Sequence, residues 1–166
     1  MHSPALKVYL GGAMFTAAQI AYNLHLATRL RCEHFEVYCP NENLTINDKT
    51  RSDITGERIY LTDIAELLSA NIFFCQVSED SGTMWESGFM DCLSRHVDSR
   101  RYLGCIGLAD DIRLRTPPDP VRAGVDNQTM YINQFVVGGL KLSLGIFTDL
   151  DRLIERLRQV RDEFNG

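Results

Sequence analysis

Asp80 and Glu86 stand six residues apart in "EDSGTMWESG" (79–88), directly after the apolar run "NIFFCQV" (71–77). Two nearby carboxylates push their pKa values apart, and that split is how acid and nucleophile roles divide in the cleavage of sugar bonds. A helix N-terminus favours the ionised form that a carboxylate nucleophile requires. The same residues have a purely structural use. Thr83-Met84-Trp85-Glu86 fits the S/T-x-x-E capping box, in which a hydroxyl and a carboxylate satisfy orphan N–H groups at a helix start. On spacing alone the two readings are even.

A third acid, Asp63, lies in "GERIYLTDIAELLSA" (56–70). There Ile59, Asp63 and Leu67 recur at i, i+4, i+8, so a carboxylate interrupts an apolar stripe. Burying a lone charge costs on the order of several kcal/mol. Asp63 therefore either sits at the stripe's edge beside an Arg or Lys, or points into a pocket near the helix end. The pocket is favoured, because the end of that helix packs beside the strand feeding Asp80.

Strands that could position these acids are expected at 6–12 ("LKVYLGG"), 34–40 ("HFEVYCP"), 71–77 and 100–108 ("RRYLGCIGL"). Helices are expected at 17–31, 56–70 and 83–96, with "NENLTINDKT" (41–50) as a loop. The charged, Pro-rich stretch 109–127 reads as an excursion or lid. A short helix is expected in 131–143, then a last short strand and a closing helix within 145–164, capped by Thr148 or Asp149. Alternating βα units of this length predict a single α/β domain over 1–166, with a doubly wound parallel sheet of about five strands and helices on both faces. Ligands on such sheets bind at the carboxyl ends of the strands. That puts the Gly11-Gly12 turn, the loop after Pro40 and the acidic stretch on one rim.

The glycines of "YLGGAMF" do not fit G-x-G-x-x-G, and neither G-x-x-x-x-G-K-[ST] nor G-x-S-x-G occurs. Dinucleotide, P-loop and serine-hydrolase sites are thereby disfavoured. What remains is a small-molecule pocket lined by acids, Tyr9 and amides.

The composition agrees. With 166 residues, 45% hydrophobic and 23% charged, the chain is an ordinary globular domain, and its net charge of −5 disfavours a nucleic-acid polymer as partner. No apolar run reaches the ~20 residues that span a bilayer, and "MHSPALKVYLGG" carries no signal-peptide pattern. A cytoplasmic location is expected. Five cysteines without C-x-x-C spacing, three of them in or beside apolar runs, read as small buried hydrophobes in a reducing compartment. The four histidines show no metal-ligand spacing, so no metal is expected.

Taken in order, "VYLGGAMFTAAQIAY", "YCPNEN", "YLTDIAELLSANIFF" and "EDSGTMWESGF" resemble the nucleoside 2-deoxyribosyltransferase family, and "MYINQFVVGGLKL" resembles its later Asn-bearing segment. The resemblance covers roughly residues 7–160, and D-x-G-x-x-x-E at 80–86 is its most specific part. It implies a flavodoxin-like fold, base exchange on 2′-deoxyribonucleosides with free nucleobases as co-substrates, and no metal or organic cofactor. It also implies roles. Glu86 matches the nucleophile that forms a deoxyribosyl ester, Asp63 the acid that helps protonate the leaving base, and Tyr9 the tyrosine that orients the nucleophile. Asp80 matches the carboxylate that binds the sugar hydroxyls. Gly11, Phe15 and Asn43, within the same segments, join the substrate-binding set. Asn133 matches an asparagine that reaches a neighbouring subunit's site, which implies a homo-oligomer.

A related group hydrolyses nucleoside 5′-monophosphates and tends to carry serine where Asp80 stands. An ionised Asp beside a dianionic phosphate would be strongly repulsive, so Asp80 favours a free 5′-hydroxyl. Hydrolysis of the N-glycosidic bond and non-catalytic nucleoside binding are the alternatives to base exchange.

Overall fold

The structure is a computed structural model that describes residues 5–111 and 132–166. Five strands form one parallel sheet in the order β2-β1-β3-β4-β5. They are β1 (Lys7–Gly11), β2 (Glu36–Tyr38), β3 (Ile72–Gln76), β4 (Gly104–Leu108) and β5 (Gly145–Phe147). Helices α1 (Ala17–Cys32), α2 (Leu44–Asn47), α3 (Gly56–Ser69), α4 (Ser81–Cys92), α5 (Gln134–Lys141) and α6 (Leu150–Asn165) connect and cover them. The strand order is that of the flavodoxin-like sheets, whose chain reverses direction between β1 and β3 and leaves a crevice there. The expected doubly wound, five-stranded architecture is the one observed.

Period-two alternation makes each strand serve two layers. Val8, Leu10, Ile72, Phe74, Ile106 and Leu108 pack with Leu26 and Leu30 of α1 and Leu153 and Leu157 of α6. Tyr9, Phe73, Cys75 and Cys105 face the other way, against Leu67 of α3, Met90 of α4 and Leu140 of α5. Cys39, Cys75 and Cys105 are buried, and all five cysteines are unpaired. Among the described residues no helix is long and apolar enough to cross a membrane.

Several expected boundaries shift. β2 is shorter than 34–40, because His34 turns the chain with a positive φ of 65° and Pro40 opens a 3-10 turn, Pro40–Glu42. The expected loop 41–50 contains α2, whose N-cap is Asn43. β4 starts at Gly104 rather than 100, since Tyr102 N–H closes a turn onto the Asp98 carbonyl at 2.9 Å. The expected lid at 109–127 lies outside the described residues from 112 onward. The closing helix uses Asp149 as its cap, accepting from Arg152 N at 3.0 Å.

The correction with the largest chemical consequence concerns α4. Its cap is Asp80, not Thr83. The Asp80 carboxylate accepts from Gly82 N and Thr83 N, each at 3.2 Å, and from Thr83 Oγ1 at 2.6 Å. Helix α4 therefore begins at Ser81, Thr83 lies inside its first turn, and Glu86 is not part of a capping box. A reciprocal box exists at α1 instead: Gln19 N donates to Thr16 Oγ1 at 3.2 Å, and Thr16 N donates to Gln19 Oε1 at 3.0 Å.

Candidate active site

With α4 starting at Ser81, Glu86 is its sixth residue, half-buried on the side that faces β1. Tyr9, central in β1 and fully buried, donates its hydroxyl to Glu86 Oε1 at 2.6 Å. The Tyr9 ring is fixed between Tyr38 (centroids 5.0 Å apart) and Phe73 (5.5 Å). Burial, with Glu86 and Asp63 adding to it, holds the Tyr9 phenol far above its ordinary range, so it stays a neutral donor.

Glu86 is not stabilised as an anion in the way its helix position led us to expect. Burial pushes its carboxyl up to about 7; the Tyr9 hydrogen bond opposes this, and the charges of Asp63 and Asp80 add to it. By the second turn of the helix the influence of the N-terminal dipole has faded. A carboxyl that titrates near neutral pH changes its charge on a modest change in surroundings.

Asp63 lies in the middle of α3, not near its end, with its carboxylate turned to the sheet. Its partner is a tyrosine rather than a cation. Tyr38 Oη donates to Asp63 Oδ1 at 3.0 Å. Burial raises the Asp63 carboxyl above the usual range, and the Tyr38 and Tyr9 hydroxyls pull it back. Asn43 joins the set by donating Nδ2 to Tyr38 Oη at 3.0 Å. Tyr38 is the member of this hydrogen-bonded set that the sequence did not reveal. The signal lay in strand pairing: β1 and β2 align Tyr9 with Tyr38, which puts both rings on the α3/α4 face.

Tyr9, Asp63, Asp80 and Glu86 thus converge near the carboxyl ends of β1 and β3, and Asn43 reaches them through Tyr38. Gly11 and Gly12 shape the floor. A Cβ on Gly11 would strike the Phe73 ring, and one on Gly12 would strike the Gln76 amide. That amide belongs to a polar brace, in which Gln76 Nε2 donates to Asn23 Oδ1 at 2.5 Å and Asn23 Nδ2 to Asn41 Oδ1 at 2.8 Å.

Phe15 and Asn133 lie outside the hydrogen-bonded set. Phe15 is 76% exposed, with its N–H on Gln19. Asn133 caps α5 by accepting from Phe135 N at 2.9 Å, and lines a cavity of about 800 Å³ with Ser78, Glu79 and Met84. The described lining of that cavity includes Asp110 and Asp111 but none of Tyr9, Asp63, Asp80 and Glu86. Among the described residues no group of three or more His, Cys, Asp or Glu side chains could hold a metal ion.

What the arrangement offers is a carboxyl raised to about 7 and held by a neutral phenol, a second partly buried carboxyl bonded to Tyr38, and a third acid at the helix cap. Residues 8–116 match the family described as nucleoside 2-deoxyribosyltransferase. Among solved structures, a conserved protein from Enterococcus faecalis V583 superposes with a TM-score of 0.73 at 24% identity, covering 94% of this chain and 99% of that one. A 2-deoxyribosyltransferase from the psychrotolerant bacterium Bacillus psychrosaccharolyticus superposes with a TM-score of 0.63 at 18% identity, covering 89% and 90%. At these identities the two structures establish likeness of fold. No curated protein sequence is significantly similar to the chain.

Proposed function

The chain belongs to the nucleoside 2-deoxyribosyltransferase family, and from that premise we propose that it exchanges the base of 2′-deoxyribonucleosides through a deoxyribosyl ester on Glu86. The observation that carries this reading is the 2.6 Å bond from Tyr9 Oη to Glu86 Oε1, together with the transfer of the capping role to Asp80. Glu86 is thereby released from structural duty, and one of its oxygens is held while the other is available.

In the first half-reaction ionised Glu86 attacks C1′ of the sugar. The C1′–N bond breaks, its electron pair stays with the base, and Asp63 supplies the proton that neutralises it. In the second half a free base attacks C1′, the ester bond breaks back to the Glu86 carboxylate, and the proton lost by the incoming base returns to Asp63. Tyr9 stabilises the carboxylate before attack and as it departs. Asp80, beside the nucleophile, binds the sugar hydroxyls and disfavours a 5′-phosphate. This chemistry needs no metal or organic cofactor.

A second copy of the chain fits the reading. Phe135 is 90% exposed and Leu142 77% exposed, and both line an apolar groove of about 420 Å³ between α4 and α5. Asn133, two residues before Phe135, would be carried to a neighbour's site by pairing on this face. Mixing Glu86→Ala with Asn133→Ala protein after subunit dissociation tests it. Hybrid assemblies should regain activity, and no recovery despite proven exchange would refute a shared site.

The reaction itself is tested by incubating deoxyinosine with and without adenine and separating the products. Base exchange predicts deoxyadenosine only when adenine is present. Rapid release of hypoxanthine without acceptor would make the protein a hydrolase, and no reaction in either tube would leave only binding.

A further inference from the structure

The hydrogen bonds around Tyr38 have a direction that can be worked out atom by atom. Asn43 Oδ1 accepts from Thr45 N at 3.2 Å and from Thr45 Oγ1 at 2.6 Å, which fixes the orientation of the amide. Its Nδ2 must then face Tyr38, whose oxygen accepts at 3.0 Å. A phenol has one hydrogen, and with its oxygen already facing a donor that hydrogen goes to Asp63 Oδ1, also at 3.0 Å. Burial keeps the Tyr38 phenol protonated, well above its ordinary range. Oδ1 of Asp63 is therefore committed as an acceptor. The carbonyl oxygen of a neutral carboxyl is the better acceptor, so the Tyr38 bond favours an acid proton on the other oxygen.

We propose that Tyr38, held by Asn43, is a positioning residue that fixes the transferable proton of Asp63 on Oδ2. This rests on the reading that Asp63 protonates the leaving base. As the C1′–N bond breaks, the Oδ2 proton moves to the base nitrogen and Asp63 becomes a carboxylate that still accepts from Tyr38. The same donor then limits the charge penalty of that carboxylate in its half-buried place. The other groups facing Asp63 do not supply this function. Tyr9 from β1 also lowers the Asp63 pKa, but its single hydrogen is committed to Glu86 at 2.6 Å; Glu66 on α3 is a like charge tied to Lys7 at 2.7 Å, and Glu86 is a carboxyl with no hydrogen to give when ionised.

Two variants remove the donor by different routes. Tyr38→Phe deletes the hydroxyl. Asn43→Asp keeps an oxygen to cap α2 but presents an acceptor to Tyr38, which draws the phenolic hydrogen away from Asp63. Both should raise the pKa of Asp63, so the acid form persists further and the alkaline limb of the deoxyinosine pH profile moves to higher pH. Both should also slow deoxyinosine relative to 7-methyl-2′-deoxyguanosine, whose base is already cationic and needs no proton to leave. We expect that ratio to fall about tenfold, part of the roughly 10²–10⁴ that a general acid contributes.

Circular dichroism identifies folded protein, and either variant alone carries the test. An unmoved alkaline limb with both substrates slowed equally in folded variants would overturn the inference about Tyr38 while leaving base exchange intact. A wild type that releases base from neither substrate would overturn the underlying reading, and this inference with it.

Discussion

The two faces of the sheet are built from the same strands and have opposite characters. Toward α1 and α6, Val8, Leu10, Ile72, Phe74, Ile106 and Leu108 belong to one buried hydrophobic cluster with residues of those helices. Toward α3 and α4, the intervening residue Tyr9 carries its hydroxyl to Glu86, with Tyr38 and Asp63 beside it. One residue of register along β1 separates a side chain in the apolar core from one hydrogen-bonded to a partly buried acid. The α1/α6 face is a largely apolar scaffold whose buried Asn23 is tied to Gln76 and Asn41, and the α3/α4 face accepts partly buried acids at a cost to stability.

That contrast predicts its largest break at Glu86. Glu86→Gln should lower base exchange at least about a thousandfold, as removal of a covalent nucleophile does. Stability should move the opposite way. A carboxyl whose folded pKa is raised from 4.5 to about 7 contributes stability that is present below pH 4.5 and lost as pH rises through 7. The glutamine escapes this loss. Chemical denaturation should find Glu86→Gln more stable than the wild type at pH 8, by roughly 3 kcal/mol at most, and nearly equal to it at pH 4.5.

The scaffold face should respond in reverse. Leu157 is fully buried against the α1/α6 layer, and Leu157→Ala should cost about 2–5 kcal/mol by leaving a cavity. Turnover per folded molecule should stay near that of the wild type. A large loss of turnover in protein shown to be folded would mean that the two faces are not separable.

Tyr9→Phe removes a hydroxyl and nothing else. A drop in kcat of about 10–100-fold is expected, in line with losing a charge-assisted bond of roughly 1.5–3 kcal/mol. Without that donor the Glu86 pKa rises further, so the acidic limb of the rate profile should shift to higher pH.

The smallest expected effects are at Asp80. Asp80→Ala should destabilise the fold by about 0.5–2 kcal/mol through the lost cap, whereas Asp80→Asn should keep most of that stability. Asp80→Asn keeps one oxygen for the cap and removes the charge, so a gain in its reaction with 5′-monophosphates reports the electrostatic role of Asp80.

Much of this was legible in the sequence, for physical reasons that also explain the rest. Apolar runs such as "NIFFCQV" mark strands covered on both faces, and the alternation of strands and helices fixes a parallel sheet with its site at the carboxyl ends. Asp63 was detectable because a charge in an apolar stripe needs a partner. Spacing leaves the capping box at Thr83 and the chemical reading of Glu86 even because Asp80 and Thr83 both suit an N-cap, and the choice depends on a helix start two residues earlier than expected. There Asp80 gathers two N–H groups and a hydroxyl. Helix α2 is one turn long and has too few residues to display a period. Tyr38 was invisible because its meaning comes from pairing with a strand about thirty residues away in sequence, which no local pattern encodes.

The central claim is that Glu86, relieved of capping by Asp80 and held by Tyr9, forms a bond to the sugar. Acid quenching of wild type with deoxyinosine and no acceptor base, followed by digestion and mass spectrometry, tests it directly. The account predicts a deoxyribosyl ester on Glu86 that disappears on adding adenine and never forms in Glu86→Gln. Base exchange that persists in Glu86→Gln, or a sugar adduct found on another residue, would contradict it.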